Sequence, residues 1–285
     1  MIIDKYNQRV QNSHSLLCVG LDADFEKIPS SFKEKEFPQF EFNKWIIDQT
    51  AEFAAAFKPN SAFYEGQGDQ GIKELKMTME HLQQKHPDIF TILDAKRADI
   101  GNTNNGYVAS IFDWLGFDAV TLHPYLGKEA LKPFLDRKDK ISIILCRTSN
   151  PGAGEFQDLS ILPPLPLAFG SEAQARRGEG RGEGQKLSLV VAEKVSKEWN
   201  TNNNCMLVVG ATYPEEMQAI RVIAGDMTFL VPGIGAQGGG VEAAVRAGIN
   251  SQKMGMIINS SRGIIFAENP AEEAKKLRDE INKYR

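Results

Sequence analysis

Short apolar runs alternate with amphipathic segments eight times along the chain, and this alternation limits the folds that are possible. Apolar residues occupy consecutive positions in each run, which is typical of strands buried on both faces of a parallel sheet. The segments between the runs place apolar residues at helical spacing. The eight runs are 15–21, 55–60, 90–93, 119–124, 141–146, 205–210, 228–232 and 255–259. This order predicts an α/β protein with a parallel sheet.

Eight strand and helix units favour closure of the sheet into a (β/α)8 barrel, the TIM barrel. The alternative is a doubly wound open sheet, which ordinarily carries a glycine-rich turn after its first strand. The first run here ends at Leu21 and Asp22 without such a turn. We therefore predict a single (β/α)8 domain over residues 1–285.

One segment, 154–186, does not fit the regular unit. It contains Pro163-Pro164-Leu165-Pro166 and then a Gly/Arg/Glu-rich run at 176–184 without hydrophobic periodicity. Such a composition is typical of a mobile insertion, and its opposite charges nearly cancel, which argues against a nucleic-acid role. Its position after the fifth run predicts a long loop on the catalytic face of the barrel, where it can act as a lid.

Composition and charge argue against several classes of function. The chain is 42% hydrophobic and 25% charged with a net charge of -4, so it has no basic footprint for nucleic acid or an anionic membrane. It contains no run of about 18 apolar residues, and its N-terminus lacks the apolar core of a signal peptide. These features predict a cytoplasmic protein without membrane contact.

The cysteines and histidines give no sign of disulfides or metal ligation. Cys18, Cys146 and Cys205 each lie in an apolar run without a Cys-x-x-Cys pair, which predicts buried free thiols. The histidines show no His-Glu-x-x-His or comparable spacing, so no protein-bound zinc is predicted. The four histidines are His14, His81, His86 and His123.

Charged residues follow the third apolar run directly, with the spacing Asp94-x-Lys96-x-x-Asp99. In an extended strand end Asp94 and Lys96 point to the same side. Taken alone, such a pair is most simply a surface ion pair worth about 0–1 kcal/mol. In a (β/α)8 barrel, however, the C-terminal ends of the strands meet at the active-site face. That rule brings further polar residues to the same face: Asp22, Lys58, His123, Ser149, Gln237 and Arg262.

The last two strands predict an anion site. The glycine-rich segment 232–240 offers backbone N–H groups that can approach a phosphate closely, and Arg262 adds a guanidinium after the eighth run. Glycine also serves ordinary turns, but the loops after strands seven and eight are the usual phosphate site of this barrel.

The segment Asp94-Ala95-Lys96-Arg97-Ala98-Asp99-Ile100-Gly101-Asn102-Thr103 resembles the signature of the orotidine 5'-phosphate decarboxylase family. Segments 57–65 and 147–152 resemble the second, mainly bacterial subgroup of that family. The resemblance extends from Asp22 to Arg262, while the insertion at about 167–185 departs from the family pattern. It implies decarboxylation of orotidine 5'-phosphate to uridine 5'-phosphate (UMP) and CO2, the final step of de novo UMP synthesis, without cofactor or metal.

The resemblance also implies roles for individual residues. It assigns the catalytic charges to Lys58, Asp94, Lys96 and Asp99. It assigns substrate contacts to Asp22 and Thr103 (ribose), Ser149 (pyrimidine edge), and Gly235, Gln237 and Arg262 (phosphate). Asp99 and Thr103 would come from the second subunit of a homodimer with shared active sites. The Lys96 ammonium would stabilise and then protonate the C6 carbanion.

Two other functions compete with this interpretation. A related decarboxylase of 3-keto-L-gulonate 6-phosphate shares the Asp-x-Lys-x-x-Asp strand but uses Mg²⁺, and an ammonium at Lys58 is unfavourable beside a divalent cation. A catalytically silent phosphoribosyl-binding protein would be expected to lose Lys96 or an aspartate while it keeps Gln237 and Arg262. The complete charged set favours the metal-free nucleotide enzyme.

Overall fold

The computed structural model describes residues 2–162, 184–234 and 240–285. Its barrel strands are β1 (Leu17–Gly20), β2 (Ala56–Lys58), β3 (Phe90–Arg97), β4 (Ala119–Leu122), β5 (Ile141–Arg147), β8 (Cys205–Val209), β9 (Phe229–Val231) and β10 (Met256–Ser260). They close into a parallel barrel in the order β1-β10-β9-β8-β5-β4-β3-β2. The predicted (β/α)8 architecture is therefore confirmed. Strands β6 (Ser160–Ile161) and β7 (Gln185–Lys186) form a separate antiparallel pair.

Helices connect the strands. The described helices are α1 (Ile2–Ser13), α2 (Ser30–Lys33), α3 (Pro38–Thr50), α4 (Ala62–Glu65), α5 (Gly68–Lys85), α6 (Asn102–Val108), α7 (Gly127–Leu135), α8 (Gly154–Gln157), α9 (Leu187–Lys194), α10 (Pro214–Ala224), α11 (Val241–Gly248), α12 (Arg262–Ile265) and α13 (Pro270–Asn282). π-Helical turns at Ala109–Trp114 and Val195–Trp199 continue α6 and α9, and a 3-10 turn at Pro151–Ala153 precedes α8. Proline begins α3, α10 and α13, where its missing N–H leaves no intrahelical bond unmade.

The strands are buried on both faces, as their unalternating apolar sequence predicts. Every residue of β1, β2, β4, β8 and β9 is buried. Each fully buried Val, Leu or Ile side chain contributes about 1.5–3 kcal/mol to folding. This core fixes the strand ends that carry the polar residues. All three cysteines are free and buried, which confirms that prediction.

The observed strands begin or end one to four residues away from the predicted runs, and two of these differences lie at the site. The second run, 55–60, forms a strand only over Ala56–Lys58, because Pro59 has no N–H to donate to a neighbouring strand. The third run continues past residue 93 as far as Arg97. The proline-rich and Gly/Arg/Glu-rich parts of the insertion, at 163–183, lie outside the described residues, so its lid role stays a prediction. Within the described ranges, no helix has the length and apolarity needed to cross a membrane.

Candidate active site

A cavity of about 870 Å³ lies at the C-terminal ends of the barrel strands. Six of the residues predicted for the site line it: Asp22, Lys58, Asp94, Lys96, Ser149 and Arg262. They come from the ends of β1, β2, β3 and β5 and from the residues after β10. The cavity therefore collects residues that are far apart in sequence, as expected for a parallel barrel.

Asp94 is the centre of the charged part of this cavity. Lys58 Nζ lies 3.0 Å from Asp94 Oδ2, and Lys96 Nζ lies 2.7 Å from Asp94 Oδ1. The Lys58 side chain is only 4% exposed, whereas that of Lys96 is 49% exposed. One ammonium is thus enclosed by the barrel, while the other reaches open space in the cavity.

The buried ammonium of Lys58 and the carboxylate of Asp94 keep each other charged. Burial by itself would lower the pKa of Lys58, but the negative charges of Asp94 and Asp22 outweigh it and raise that pKa above its usual value. Burial likewise acts to raise the pKa of Asp94, yet Lys58 and Lys96 hold it well below its usual range. At neutral pH Asp94 is therefore an anion between two cations.

A hydroxyl that the sequence analysis did not single out fixes both Asp94 and Lys96. Thr121, on the neighbouring strand β4, donates from Oγ1 to Asp94 Oδ1 at 2.8 Å and accepts from the Lys96 N–H at 2.9 Å. Its side chain lies on a fully buried strand, so it has little freedom to move. Thr121 was missed because strand pairing, not sequence spacing, brings it to Asp94.

Lys96 does not have regular strand geometry. Its φ is 48°, in the left-handed region, and the pairing of β3 with β4 shifts register between Leu93 and Arg97. Asp94 and Lys96 do meet, as predicted, but the regular strand alternation on which that prediction is based does not extend to Lys96. The backbone at Lys96 is instead left-handed, a conformation that costs a non-glycine residue about 1–2 kcal/mol.

Asp22 offers an acceptor to the cavity. Its Oδ1 is buried and has no hydrogen-bond partner among the described residues. A buried carboxylate oxygen without a donor is unfavourable, and a ligand hydroxyl can satisfy it. The loop after β1 thus carries a group suited to accept a hydrogen bond from a ligand hydroxyl.

The opposite wall of the cavity is the loop after β5. Gln157 accepts from the Thr148 N–H at 2.9 Å and donates to Thr148 Oγ1 at 2.9 Å. Gly210 allows close approach, since a Cβ there would lie 2.9 Å from the Ser149 Cβ. These contacts hold Ser149 at the cavity. The sequence analysis missed Gln157 because it lies in the irregular segment after the fifth strand.

At the third side of the cavity, Arg262 begins α12 and is exposed. The preceding Ser261 donates from Oγ to the Gly20 carbonyl at 3.1 Å, which fixes the loop against the end of β1. Gly240, just before α11, also lines the cavity. Gly235 and Gln237, predicted for the phosphate, lie outside the described residues.

Asp99, Thr103 and His123 are not among the residues that line the cavity of their own chain. Asp99 Oδ1 accepts from the Ile100 N–H at 2.7 Å, and the Asp99 N–H donates to Asn104. Within the described ranges Asp99 forms no ion pair with Lys96. The structure therefore does not bring the fourth predicted charge to the other three within one chain.

Comparison with known proteins identifies the family of this barrel. The sequence model described as "Orotidine 5'-phosphate decarboxylase / HUMPS family" matches residues 15–165 and 168–277. The orotidine 5'-phosphate decarboxylase of Cellvibrio japonicus is 42% identical over 278 residues, which cover 97% of this chain and 93% of the relative. That of Flavobacterium johnsoniae is 42% identical over 283 residues, which cover 99% and 95%.

A solved structure agrees with the sequence relatives. The OMP decarboxylase of Leishmania donovani superimposes with a TM-score of 0.82 at 36% identity, over 99% of this chain and 98% of that one. The family match and the two bacterial relatives each extend over nearly the whole chain. The chain belongs to the orotidine 5'-phosphate decarboxylase / HUMPS family.

Proposed function

We propose that the protein decarboxylates orotidine 5'-phosphate to UMP and CO2, the final step of de novo UMP synthesis. The observation that carries this proposal is the half-exposed Lys96 ammonium, held 2.7 Å from Asp94 at the edge of a cavity large enough for a nucleotide. Two bacterial relatives at 42% identity bear the name of this enzyme. The cytoplasmic location remains a prediction of the sequence.

The residue types fit the demand of the reaction. When the bond between C6 and the carboxylate breaks, CO2 leaves and the electron pair stays on C6, in the plane of the ring, where the ring carbonyls cannot delocalise it directly. A fixed cation stabilises that charge, and an N–H of Lys96 then donates its proton to C6. The neutral amine recovers a proton from solvent.

Lys58 and Asp94 prepare this step. Lys58 keeps Asp94 ionised and in place from the buried side. Asp94 in turn orients Lys96, and its negative charge near the substrate carboxylate disfavours the ground state. Lys58 also lines the cavity, so it remains one of the proposed catalytic charges as well as the group that positions Asp94.

The phosphate supplies binding energy at a distance from the reacting carbon. Among the described groups, Arg262 and the backbone before α11 are suited to an anion, and we place Gly235 and Gln237 in the same phosphate site. An acceleration of about 10¹⁷ corresponds to about 23 kcal/mol, too much for one residue. Binding energy from the phosphate can support closure of loops over the site.

We also propose a homodimer in which Asp99 and Thr103 reach the partner's cavity. Three observations support it: neither residue lines the cavity of its own chain, Ile100 beside Asp99 is 63% exposed, and Tyr125 on the following loop is 89% exposed. These two side chains lie on loops that follow the adjacent strands β3 and β4, and neighbouring exposed apolar groups are typical of interaction surfaces. Mixed Lys96→Ala and Asp99→Ala chains, each inactive alone, should regain about a quarter to a half of wild-type activity. No recovery despite demonstrated subunit exchange would disprove shared sites.

The experiment that tests the proposed reaction is the loss of orotidine 5'-phosphate absorbance with purified protein in excess EDTA. We expect turnover in the wild type and in Lys132→Ala, a control that removes an exposed lysine of α7. Lys96→Ala should lose about 10⁴-fold or more in activity. Turnover only after Mg²⁺ is restored would favour the sugar-phosphate decarboxylase, and no turnover at all would favour a silent binding protein.

A further inference from the structure

Helices α3 and α5 pack side by side on the outside of the barrel, and their contact contains a cluster of potential metal ligands. Asp48 lies on α3, His81 lies near the end of α5, and His86 follows directly after α5. His81 Nε2 lies 2.8 Å from Asp48 Oδ1, and His86 Nε2 lies 3.9 Å from the same oxygen. The three ligand atoms all lie within 4.8 Å of one another.

The spacing of these atoms fits a small divalent ion. Bonds of 2.0–2.1 Å in tetrahedral geometry place two ligand atoms about 3.3 Å apart. The two observed distances to Asp48 Oδ1 lie on either side of this value, each by about half an ångström. Side-chain adjustments of that size leave the helices where they are.

A purely structural explanation accounts for only part of the cluster. The contact of His81 with Asp48 can tie α5 to α3 as an ordinary hydrogen bond. It does not explain why His86 turns its Nε2 towards the same oxygen, with its ring centroid 6.2 Å from that of His81. Within the described part of the chain, no lysine or arginine lies within 4.0 Å of the Asp48 carboxylate to compete for it.

We propose that Asp48, His81 and His86 form a binding site for a divalent transition-metal ion of the Zn²⁺ class, with water in the remaining position. Two imidazoles and one carboxylate favour Zn²⁺ over Mg²⁺, which prefers oxygen ligands. The sequence predicted no zinc site because one ligand lies on α3 and the other two at the end of α5. The structure assigns the site by bringing the two helices together.

The site is remote from the decarboxylase chemistry. His86 lies before the N-terminal end of β3, whereas the cavity lies at the C-terminal ends of the strands. The bound ion therefore stabilises the packing of α3 on α5 and leaves catalysis unchanged. An ion at about a hundredfold its Kd raises the melting midpoint of a chain of this size by about 5 °C.

The test is calorimetric titration of the intact, chelator-treated protein with ZnCl₂, and separately with MgCl₂. We expect one equivalent of Zn²⁺, a weakening of about tenfold or more in His86→Gln, and no Mg²⁺ binding at the same concentration. The matched control is His14→Asn. His14 is an exposed histidine away from the cluster, and its φ of 48° suits asparagine. The three buried cysteines do not compete for the ion.

Three results would overturn the proposal: no Zn²⁺ binding to the wild type, equal affinity in His86→Gln, or equally strong binding of Mg²⁺. Equal affinity in His86→Gln would mean dispersed binding at surface groups. Circular dichroism checks that each variant is folded. If His86→Gln does not fold, Asp48→Asn replaces it, because asparagine keeps a hydrogen bond to His81 while it removes the anionic ligand. The same loss of affinity is then expected.

Discussion

Two groups of charges near the mouth of the barrel each contain a buried cation, but they are built differently. The first, the site triad, consists of Lys58, Asp94 and Lys96. The second, the clamp network, consists of Arg147, Asp158, Lys186 and Glu216. Lys58 and Arg147 are comparable, since their side chains are 4% and 2% exposed. Lys58 has one carboxylate partner, which it shares with a second ammonium, whereas Arg147 has two carboxylate partners.

The clamp network closes on itself. Arg147 pairs with Glu216 and Asp158, and Lys186 lies 3.2 Å from Asp158 and 2.8 Å from Glu216. Two cations and two carboxylates balance, and Arg147 also packs on the ring of Tyr213. Since Asp158 precedes β6 and Lys186 ends β7, the network ties both described ends of the insertion to the barrel.

The site triad is left open. One carboxylate serves two ammonium groups, and the outer ammonium, Lys96, remains half exposed in the cavity. The triad therefore carries one positive charge in excess, which suits an anionic substrate. The comparison indicates that a closed network stabilises structure, whereas an open one keeps a charge available for chemistry.

Among the tests of this comparison, the largest effect is expected from Asp94→Asn, which would break the triad at its centre. Decarboxylation should fall by about 10³-fold or more, because Lys96 loses its orientation and Lys58 its partner. The control is Asp118→Asn, since Asp118 is a buried carboxylate bound to Lys5 and Thr91 away from the cavity. Steady-state kinetics should show that the control keeps its activity. Equal losses in both variants would mean that the triad acts only through stability.

Arg147→Met tests the opposite side of the comparison. We expect the free energy of unfolding to fall by about 3 kcal/mol, because Glu216 and Asp158 lose a buried partner. The folded enzyme should keep kcat/KM within about tenfold of wild type. Arg137→Met is the matched control, since Arg137 also contacts two aspartates but on the surface, where the loss should stay below about 1 kcal/mol. A large loss of activity without loss of stability would contradict a structural role.

Thr121→Val tests whether the Thr121 hydroxyl positions Asp94 and Lys96 within the triad. It removes the hydroxyl that binds Asp94 and the Lys96 N–H while it keeps the side-chain shape. We expect kcat to fall by about tenfold, as for the loss of one or two kcal/mol of positioning. Thr121→Ser should restore most of the rate. If the serine variant is as slow as the valine variant, the hydroxyl is not the group that matters.

The smallest effect concerns pH. The pKa of Asp94 is held below its usual value in the folded protein, so the ionised carboxylate stabilises the fold. This contribution to the free energy of unfolding is fully present above the unfolded pKa of about 3.9, and it is lost as pH falls through the folded pKa. Because the pKa of Lys58 is raised, the stabilisation that its ammonium contributes is lost only at strongly alkaline pH. Urea unfolding should show a constant difference between wild type and Asp94→Asn from about pH 5 to 9, which shrinks by about 1 kcal/mol by about pH 3. A difference that grows on acidification would contradict the assigned charges.

The barrel and the triad could be predicted because both depend on local sequence. Buried runs are recognisable by their unalternating apolar residues; Lys58 lies near the end of the second run, and Asp94 and Lys96 follow the third. Thr121 and the Asp48 cluster could not be predicted, since strand register and helix packing bring their partners from distant parts of the chain. The left-handed backbone at Lys96 was missed for a different reason: lysine rarely adopts it.

The left-handed backbone at Lys96 has a consequence for the evolution of the sequence. Backbone strain alone would favour glycine at position 96, since glycine adopts a φ of 48° without the cost of about 1 kcal/mol or more that lysine carries. Selection for the ammonium therefore keeps a residue that the backbone conformation itself disfavours. A homologous gene with glycine or asparagine at this position would encode an intact barrel that has been released from the reaction.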